Sequence, residues 1–147
     1  TLLFSAGSAW ADFVDGLAAV ERGDYATALQ EWLPLAEQGD ALTQILVGSI
    51  YDNGDGVPED DAEAVKWYRK AAEQGHADAQ YNLGFMYANG EGVPTNLVKA
   101  YMWFSLAKAQ GDETAAGDLK IIKEEMSHAQ IDEAQNLAAE RWEKHND

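Results

Sequence analysis

Residues 53–58 form the hexapeptide NGDGVP, and residues 89–94 repeat it as NGEGVP thirty-six positions later. The agreement extends outward from this loop on both sides. Laid over each other without a gap, residues 41–76 and 77–112 are identical at fourteen of thirty-six positions, in the same order throughout. An internal period of this length is typical of repeat proteins, in which neighbouring units stack and bury a common core.

Each unit has the pattern of two helices joined by the glycine loop. Ile45, Gly48 and Tyr51 precede the loop at three-residue spacing, and Ala64 and Tyr68 follow it four residues apart. These intervals place small and apolar residues on one face of an α-helix, whereas a strand would alternate at every second residue. The sequence therefore predicts an all-α chain of helix–turn–helix repeats.

The loop residues have separate roles in this prediction. Gly54 and Gly56 permit the positive φ angles of a tight connection, and Val57 is placed to enter the core. Pro58 imposes an extended approach to the second helix of the unit. Gly75 is expected to close that second helix as a C-cap glycine, and its copy Gly111 to close the next one.

Two further residues recur at the period and have a structural interpretation. Gly48 returns as Gly84, and a glycine in the first helix lets the second helix approach closely. Trp67 returns as Trp103, and we expect this tryptophan to fill the space between neighbouring units. A catalytic centre has no reason to be copied in every unit, so we assign these residues to packing.

The repeat continues more weakly towards both ends. Residues 36–39 (AEQG) recur as residues 72–75, and the first unit is four residues shorter in its middle. Pro34 lies inside the second helix of that unit and is expected to kink it. Residues 127–130 have the pattern of a capping box, which opens a helix to about Lys144. This last helix, rich in Glu and Lys, is expected to cap the array.

These motifs resemble the Sel1 repeat. Residues 46–75 resemble one repeat and residues 83–111 a second, in which Phe104 replaces a tyrosine and Lys108 an alanine. The resemblance implies a right-handed superhelical solenoid of paired antiparallel helices that acts as an adaptor in protein complexes. It also implies export, since many bacterial relatives act in the envelope. The predicted units are about 12–40, 41–76, 77–112 and 113–147.

The composition restricts the partners of the chain. Twenty-six acidic residues against ten basic ones give a net charge of −16, which disfavours nucleic acid and anionic lipid surfaces and favours cationic partners. The absence of cysteine excludes disulfides and thiolate metal sites. No stretch of eighteen apolar residues is present, so the sequence predicts no membrane insertion.

The first eleven residues carry no charge and suggest export. Residues 2–4 (LLF) resemble the end of a hydrophobic export segment, and residues 9–11 (AWA) have the small-x-small form of a signal-peptidase site before Asp12. We therefore predict a bacterial protein that is periplasmic or secreted. Two alternatives stay open: a helical turn that packs on the first repeat, and self-association in which residues 1–11 enter the groove of a neighbouring molecule.

The candidate binding site is the concave face, which the first helix of each unit would line. Positions that point into this groove differ between the copies: Ile45 corresponds to Tyr81, and Ser49 to Phe85. The predicted partner-binding residues are Leu42, Ile45, Ser49, Asp52, Asp78, Tyr81, Phe85, Ala88 and Asn89. They would grip apolar anchors of a protein or peptide, while the two aspartates attract its basic residues. The alternative is that Tyr81 and Phe85 pack in the core.

Other motifs carry no convincing chemistry. The NGDGVP loop lacks the register and the glutamate of a calcium loop. Ser105 and Lys108 match a Ser-x-x-Lys motif without its partner motifs, and the three histidines share no ligand spacing. We predict no enzyme activity, catalytic residue, metal or cofactor. The predicted function is protein or peptide binding; the alternative is a structural, oligomerising component of an envelope complex that uses convex or end surfaces.

Overall fold

The computed structural model describes residues 6–147, which fold into an all-α solenoid of helix–turn–helix units. The predicted export segment at residues 2–4 lies outside the described part. The helices, in chain order, are α1 Ala6–Glu21, α2 Tyr25–Glu37, α3 Ala41–Asn53, α4 Asp61–Glu73, α5 Ala77–Asn89, α6 Leu97–Ala109, α7 Glu113–Lys123 and α8 His128–Asn146. Odd-numbered helices are the first helices of the units and even-numbered helices the second. The prediction of an all-α solenoid is confirmed.

Most helices begin with the same capping bond, repeated at the period. A side-chain oxygen of the N-cap residue accepts the backbone amide three residues later, which satisfies one of the donors that a helix start leaves unpaired. The residues that cap in this way are Asp24, Asp40, Asp60, Asn96, Asp112 and Ser127. Ser127 forms the predicted capping box with Gln130.

The helix ends are equally periodic. The second helices end before a glycine with positive φ, which is 103° at Gly39, 93° at Gly75 and 99° at Gly111. The two predicted closing glycines are thus confirmed. Pro34 lies inside α2, which continues to Glu37.

The second glycine of each loop contacts the preceding unit. A side chain at Gly56 would meet Tyr25 Cβ at 2.9 Å, and one at Gly92 would meet the backbone of Asp61 and Ala62. Both glycines also have positive φ, of 67° and 66°. The loop therefore rests on the start of the second helix one unit earlier, at two places thirty-six residues apart.

Glycines in the first helices make the predicted close approach. A Cβ at Gly48 would lie 2.8 Å from the Tyr68 ring, and a Cβ at Gly84 would lie 2.8 Å from the Phe104 ring. Gly16 faces Trp32 in the same way. These three contacts show that Gly16, Gly48 and Gly84 occupy equivalent positions, although the first unit has fewer residues between its two helices.

The core consists of two clusters. Trp67 is buried among residues of the first and second units, and Trp103 among those of the later units. Val57 packs against the first cluster as predicted. Buried aliphatic and aromatic groups of this size supply most of the free energy that holds a solenoid together.

Buried glutamines link neighbouring units and also the two helices within a unit. Gln44 Nε2 donates to the Ala36 carbonyl at 2.9 Å, and Gln74 Nε2 donates to Gln44 Oε1 at 2.8 Å. Gln80 and Gln110 repeat the second bond at 2.8 Å one unit later. Each pair satisfies polar groups that unit stacking removes from water.

The last helix is more than an end cap. Both α7 and α8 pack against α6, and the far end of α8 places the His145 ring beside Gly75 in the α4–α5 turn. Ile131, Ala134 and Ala138 are the buried residues of α8 and lie on the face that packs against the array. The helix thus runs back along the second helices of the array.

Candidate functional site

Exposed apolar side chains concentrate on the first helices. Of the seven large apolar residues that are exposed in the described chain, six lie on α1, α3, α5 and α7. We call these six the first-helix surface: Trp10, Val14, Leu17, Leu42, Phe85 and Ile121. The seventh, Trp142, lies on α8. Isolated exposed apolar residues are ordinary, but here all except Trp142 lie on one set of helices.

The register of the repeats explains this concentration. Leu17, Ser49 and Phe85 each follow the glycine that faces the second helix, and Ile121 lies thirty-six residues beyond Phe85. These four residues are therefore equivalent positions, one from each unit. Three of the four are exposed and apolar, with exposed fractions of 40%, 41% and 62% for Leu17, Phe85 and Ile121.

The predicted groove residues divide into two groups. Leu42 and Phe85 are exposed, as are Asp78 and Asn89. The remaining five are half-buried, and Ile45, Tyr81 and Ala88 among them pack against the core. The five are Ile45, Ser49, Asp52, Tyr81 and Ala88.

Tyr81 and Phe85 differ in burial. The Tyr81 ring lies 5.6 Å from the Phe104 ring and 6.4 Å from the Phe85 ring, between centroids. Its hydroxyl donates to Asp118 Oδ2 at 3.0 Å, and burial together with this carboxylate raises the pKa of Tyr81 to about 12. Tyr81 therefore supports the core from the edge of the surface, whereas Phe85 lies on the surface itself.

Asp52 already has a partner within the fold. The Tyr68 hydroxyl donates to Asp52 Oδ2 at 3.1 Å. Burial raises the pKa of Asp52, although this hydrogen bond acts in the opposite direction. Asp78, in contrast, is exposed in the first turn of α5.

The charges of the chain are segregated between the helices. Helices α1, α3 and α5 contain five acidic residues and no Lys, Arg or His. The acids are Asp12, Asp15, Glu21, Asp52 and Asp78. Nine of the ten basic residues lie on α4, α6, α7 and α8, and the tenth, Arg22, follows α1. The first-helix surface is therefore apolar and acidic over three units.

A cavity extends the surface beside α1. It has a volume of about 610 Å³ and lies between α1 and the turn that joins α2 to α3. Trp10, Phe13, Leu35 and Leu42 line its apolar part. All nine predicted groove residues lie on α3 and α5, and none lies on α1. The first unit is four residues shorter in its middle, and an alignment that allows for this gap places Leu17 at the position of Ser49 and Phe85.

The motifs set aside in the sequence analysis lie apart from this surface. Ser105 and Lys108 lie on the second helix α6, and Gly54 and Gly56 shape a turn with left-handed backbone. Between residues 6 and 147, no three His, Cys, Asp or Glu side chains are grouped to hold a metal ion. The same part of the chain has no helix with the length and hydropathy needed to cross a membrane.

Comparison with known proteins identifies the repeated units. The Sel1 repeat model matches residues 41–76 and again residues 77–112. These bounds coincide with the two units that the internal sequence identity defines. No curated protein matches the chain at a significant level.

Three solved structures are similar to most of the chain. A protective antigen of uropathogenic Escherichia coli strains that displays an SLR fold is 28% identical, with a TM-score of 0.86 over 93% of this chain and 30% of its own. A Sel1 repeat protein from Oxalobacter formigenes is 31% identical, with a TM-score of 0.70 over 87% and 55%. The cysteine rich protein B of Helicobacter pylori is 25% identical, with a TM-score of 0.65 over 76% and 89%. The chain thus spans about a third and about half of the first two structures.

Proposed function

Because this chain is a Sel1-like repeat protein, we propose that it binds a protein or peptide partner on its first-helix surface. Sel1-like repeat proteins generally mediate protein–protein interactions, and the family is typically non-catalytic. The observation that carries the proposal is that, among residues 6–147, six of the seven exposed large apolar side chains lie on the first helices. Exposed apolar patches on folded proteins commonly mark sites that a partner covers.

The partner should combine apolar anchors with basic residues. Leu17, Phe85 and Ile121 occupy equivalent positions and offer contacts at the spacing of the units, which suits an extended or helical segment. Asp78 and the acids of α1 lie on the same helices as Phe85 and Leu17, and these two helices carry no basic residue. Complementary charge of this kind speeds association and excludes acidic competitors.

We further propose that the protein acts outside the bacterial cytoplasm. Residues 1–11 are uncharged, and residues 9–11 keep the form of a signal-peptidase site. Cleavage before Asp12 would remove Trp10 and with it one wall of the cavity beside α1. Mass spectrometry of the N-terminus of the mature protein tests this, since a chain that begins at Asp12 supports export and an intact segment contradicts it.

The binding proposal is tested by retention of partners from an envelope extract on the immobilised chain. Phe85→Ser with Ile121→Ser removes two exposed anchors, and position 49 already carries serine in the second unit. Trp142→Ser is the matched control, because it removes an exposed aromatic residue outside the surface. We choose these residues over Tyr81, whose contacts with Phe104 and Asp118 would confuse lost binding with lost stability.

The expected result is a protein that the wild type and the Trp142→Ser control retain and the double variant loses. Equal retention by all three chains would contradict binding on the first-helix surface. If sedimentation then showed a self-association that Trp142→Ser abolishes, the alternative structural role through the second helices would replace it.

A further inference from the structure

The second helices bring together cations that α1, α3 and α5 lack. Arg69 of α4, Lys99 of α6 and Arg141 of α8 line one cavity of about 390 Å³. Glu73 is the single carboxylate among the described residues of its wall. We call this space the cationic cavity; the rest of its lining is Tyr87, Met102, Trp103 and Leu137. Three cations against one acid give its wall the opposite sign to a chain of net charge −16.

Buried aromatic rings hold these cations in place. Arg69 Nη2 donates to the Tyr87 hydroxyl at 2.8 Å, and Lys99 Nζ lies 5.3 Å from the centre of the same ring. The Arg141 guanidinium lies 4.7 Å from the centre of the Trp103 ring. Both rings are at most 6% exposed, so they are fixed supports for cation–π contacts. The cations are therefore positioned before any ligand arrives.

Glu73, the carboxylate of the wall, forms no ion pair with these cations. Acidic residues outnumber basic ones by twenty-six to ten, so a basic side chain in this protein has an ample choice of partners. Yet within residues 6–147 the only ion pair with a nitrogen–oxygen distance below 4 Å joins Lys66 to Glu63. None of the three cavity cations forms such a pair. Three cations that converge beside one unpaired acid still repel each other, and an anion between them relieves that repulsion.

The shape and lining of the cavity indicate which anion fits. Arginine presents a planar fork of donors that matches a carboxylate, and two arginines reach this cavity. Met102, Trp103 and Leu137 add apolar surface beside them. The volume lies within the range of about 300–1,000 Å³ that is usual for small-molecule sites. We propose that the cationic cavity binds a carboxylate carried on a small apolar or aromatic body.

This site is separate from the proposed partner surface, because its lining comes from the second helices and the end of α5.

A first test uses NMR of the ¹⁵N-labelled chain titrated with hippurate, whose carboxylate adjoins a benzoyl group. Saturable shifts at the amides around the cavity are expected. The neutral amide of hippurate should bind at least tenfold more weakly, and inorganic phosphate likewise, since it lacks the apolar body. Absence of saturable shifts, or equal binding of either comparison compound, would overturn the proposal.

Single substitutions test the role of each charge. Arg69→Gln removes the charge and the guanidinium fork but keeps a polar side chain, and it should weaken hippurate binding about tenfold. Lys120→Gln is the matched control, since it removes the same charge from an exposed residue of α7 outside the cavity, and it should change binding less than twofold. Equal losses in both variants would mean that only net charge matters, which contradicts a site.

The wall carboxylate gives a prediction of the opposite sign. Glu73→Gln removes the one acid that opposes an anion, so hippurate should bind about two- to threefold more tightly. Weaker or unchanged binding would argue against an anion between these side chains. Thermal unfolding of each variant establishes that a loss of binding is not a loss of fold.

The carboxylate could belong to a small acid or to the C-terminus of a peptide. The acetylated peptide Ala-Ala-Ala-Phe with a free C-terminus, and its amidated form, separate the two sources. Binding of the free acid at least tenfold tighter than that of hippurate assigns the cavity to peptide ends, and comparable binding assigns it to small acids. If neither the peptide acid nor hippurate binds, the proposal is wrong.

Discussion

The Tyr68 hydroxyl donates a hydrogen bond to Asp52 Oδ2 at 3.1 Å, and the next unit lacks both partners. Thirty-six residues later, Phe104 stands in the place of Tyr68 and Ala88 in the place of Asp52. The phenylalanine ring still packs against Gly84, as the tyrosine ring packs against Gly48. The same packing of an aromatic ring on a helical glycine therefore occurs with a polar pair in one unit and without it in the next.

This pair predicts a non-additive mutant cycle. Tyr68→Phe leaves a half-buried carboxylate without its donor, and Asp52→Ala leaves the hydroxyl without its acceptor, so each should lower the unfolding free energy by about 1 kcal/mol. The double variant reproduces the pair of the next unit and should lose less than the sum, with a coupling of about 1 kcal/mol. Urea unfolding measures all four chains, and additive losses would mean that the bond contributes nothing.

The stability of the protein should rise on mild acidification. Burial raises the pKa of Asp52, and burial together with Asp61, Asp52 and Glu59 raises that of Glu91. A raised carboxyl pKa means that the folded chain binds more protons than the unfolded one. Its stabilising contribution is then complete below the unfolded value of about 4 and is lost as pH rises through the folded value.

The melting temperature measured by circular dichroism should accordingly increase from pH 7 towards pH 5. A double variant, Asp52→Asn with Glu91→Gln, should show a weaker dependence of the melting temperature on pH. It removes both groups while the rest of the negative charge stays. An identical slope in the two chains would assign the effect to general charge repulsion instead.

Two helical glycines should respond to alanine in opposite directions. A Cβ at Gly84 would lie 2.8 Å from the Phe104 ring, so Gly84→Ala should lower the unfolding free energy by about 1–3 kcal/mol. A Cβ at Gly117 meets nothing within 4 Å, and α7 should gain about 0.5–1 kcal/mol from Gly117→Ala. Urea unfolding compares them, and a destabilised Gly117→Ala would show that α7 has tighter surroundings.

Charge on the first helices should act mainly on the rate of association with a basic partner. Asp78→Asn removes an exposed acid at the start of α5, and the association rate constant should fall about two- to threefold while dissociation changes little. Asp132→Asn on α8 is the control and should leave both rates unchanged. Biolayer interferometry measures both rate constants with the protein retained in the pull-down. Equal effects of the two variants would mean that only net charge matters and not the position of Asp78.

Most of the fold followed from local sequence signals. The period of thirty-six residues, the glycines that close the second helices and the capping box at Ser127 each depend on a few neighbouring residues. Backbone conformation at such sites has few solutions, so residue type predicts it well. The close contacts of Gly48 and Gly84 were predictable for the same reason, since both recur at the period.

The surface was less predictable because it depends on contacts between distant residues. Tyr81 bonds to Asp118, thirty-seven residues away, and no pattern in either helix indicates this bond. The path of α8 along α6 places Arg141 over Trp103, and the sequence predicted only that α8 would cap an end. The cationic cavity requires that path, so sequence alone offered no sign of it.

The loop glycines have a consequence for how such a chain changes in evolution. Gly92 meets the Asp61–Ala62 backbone in the way that Gly56 meets Tyr25 and Ala26, so the two junctions are interchangeable. If a deletion removed residues 41–76, Gly92 would arrive at the junction that Gly56 now occupies. Gene duplication or loss can therefore alter the copy number in whole units, each adding a further stretch of ligand-accessible surface, whereas a partial insertion would leave one junction without its glycine.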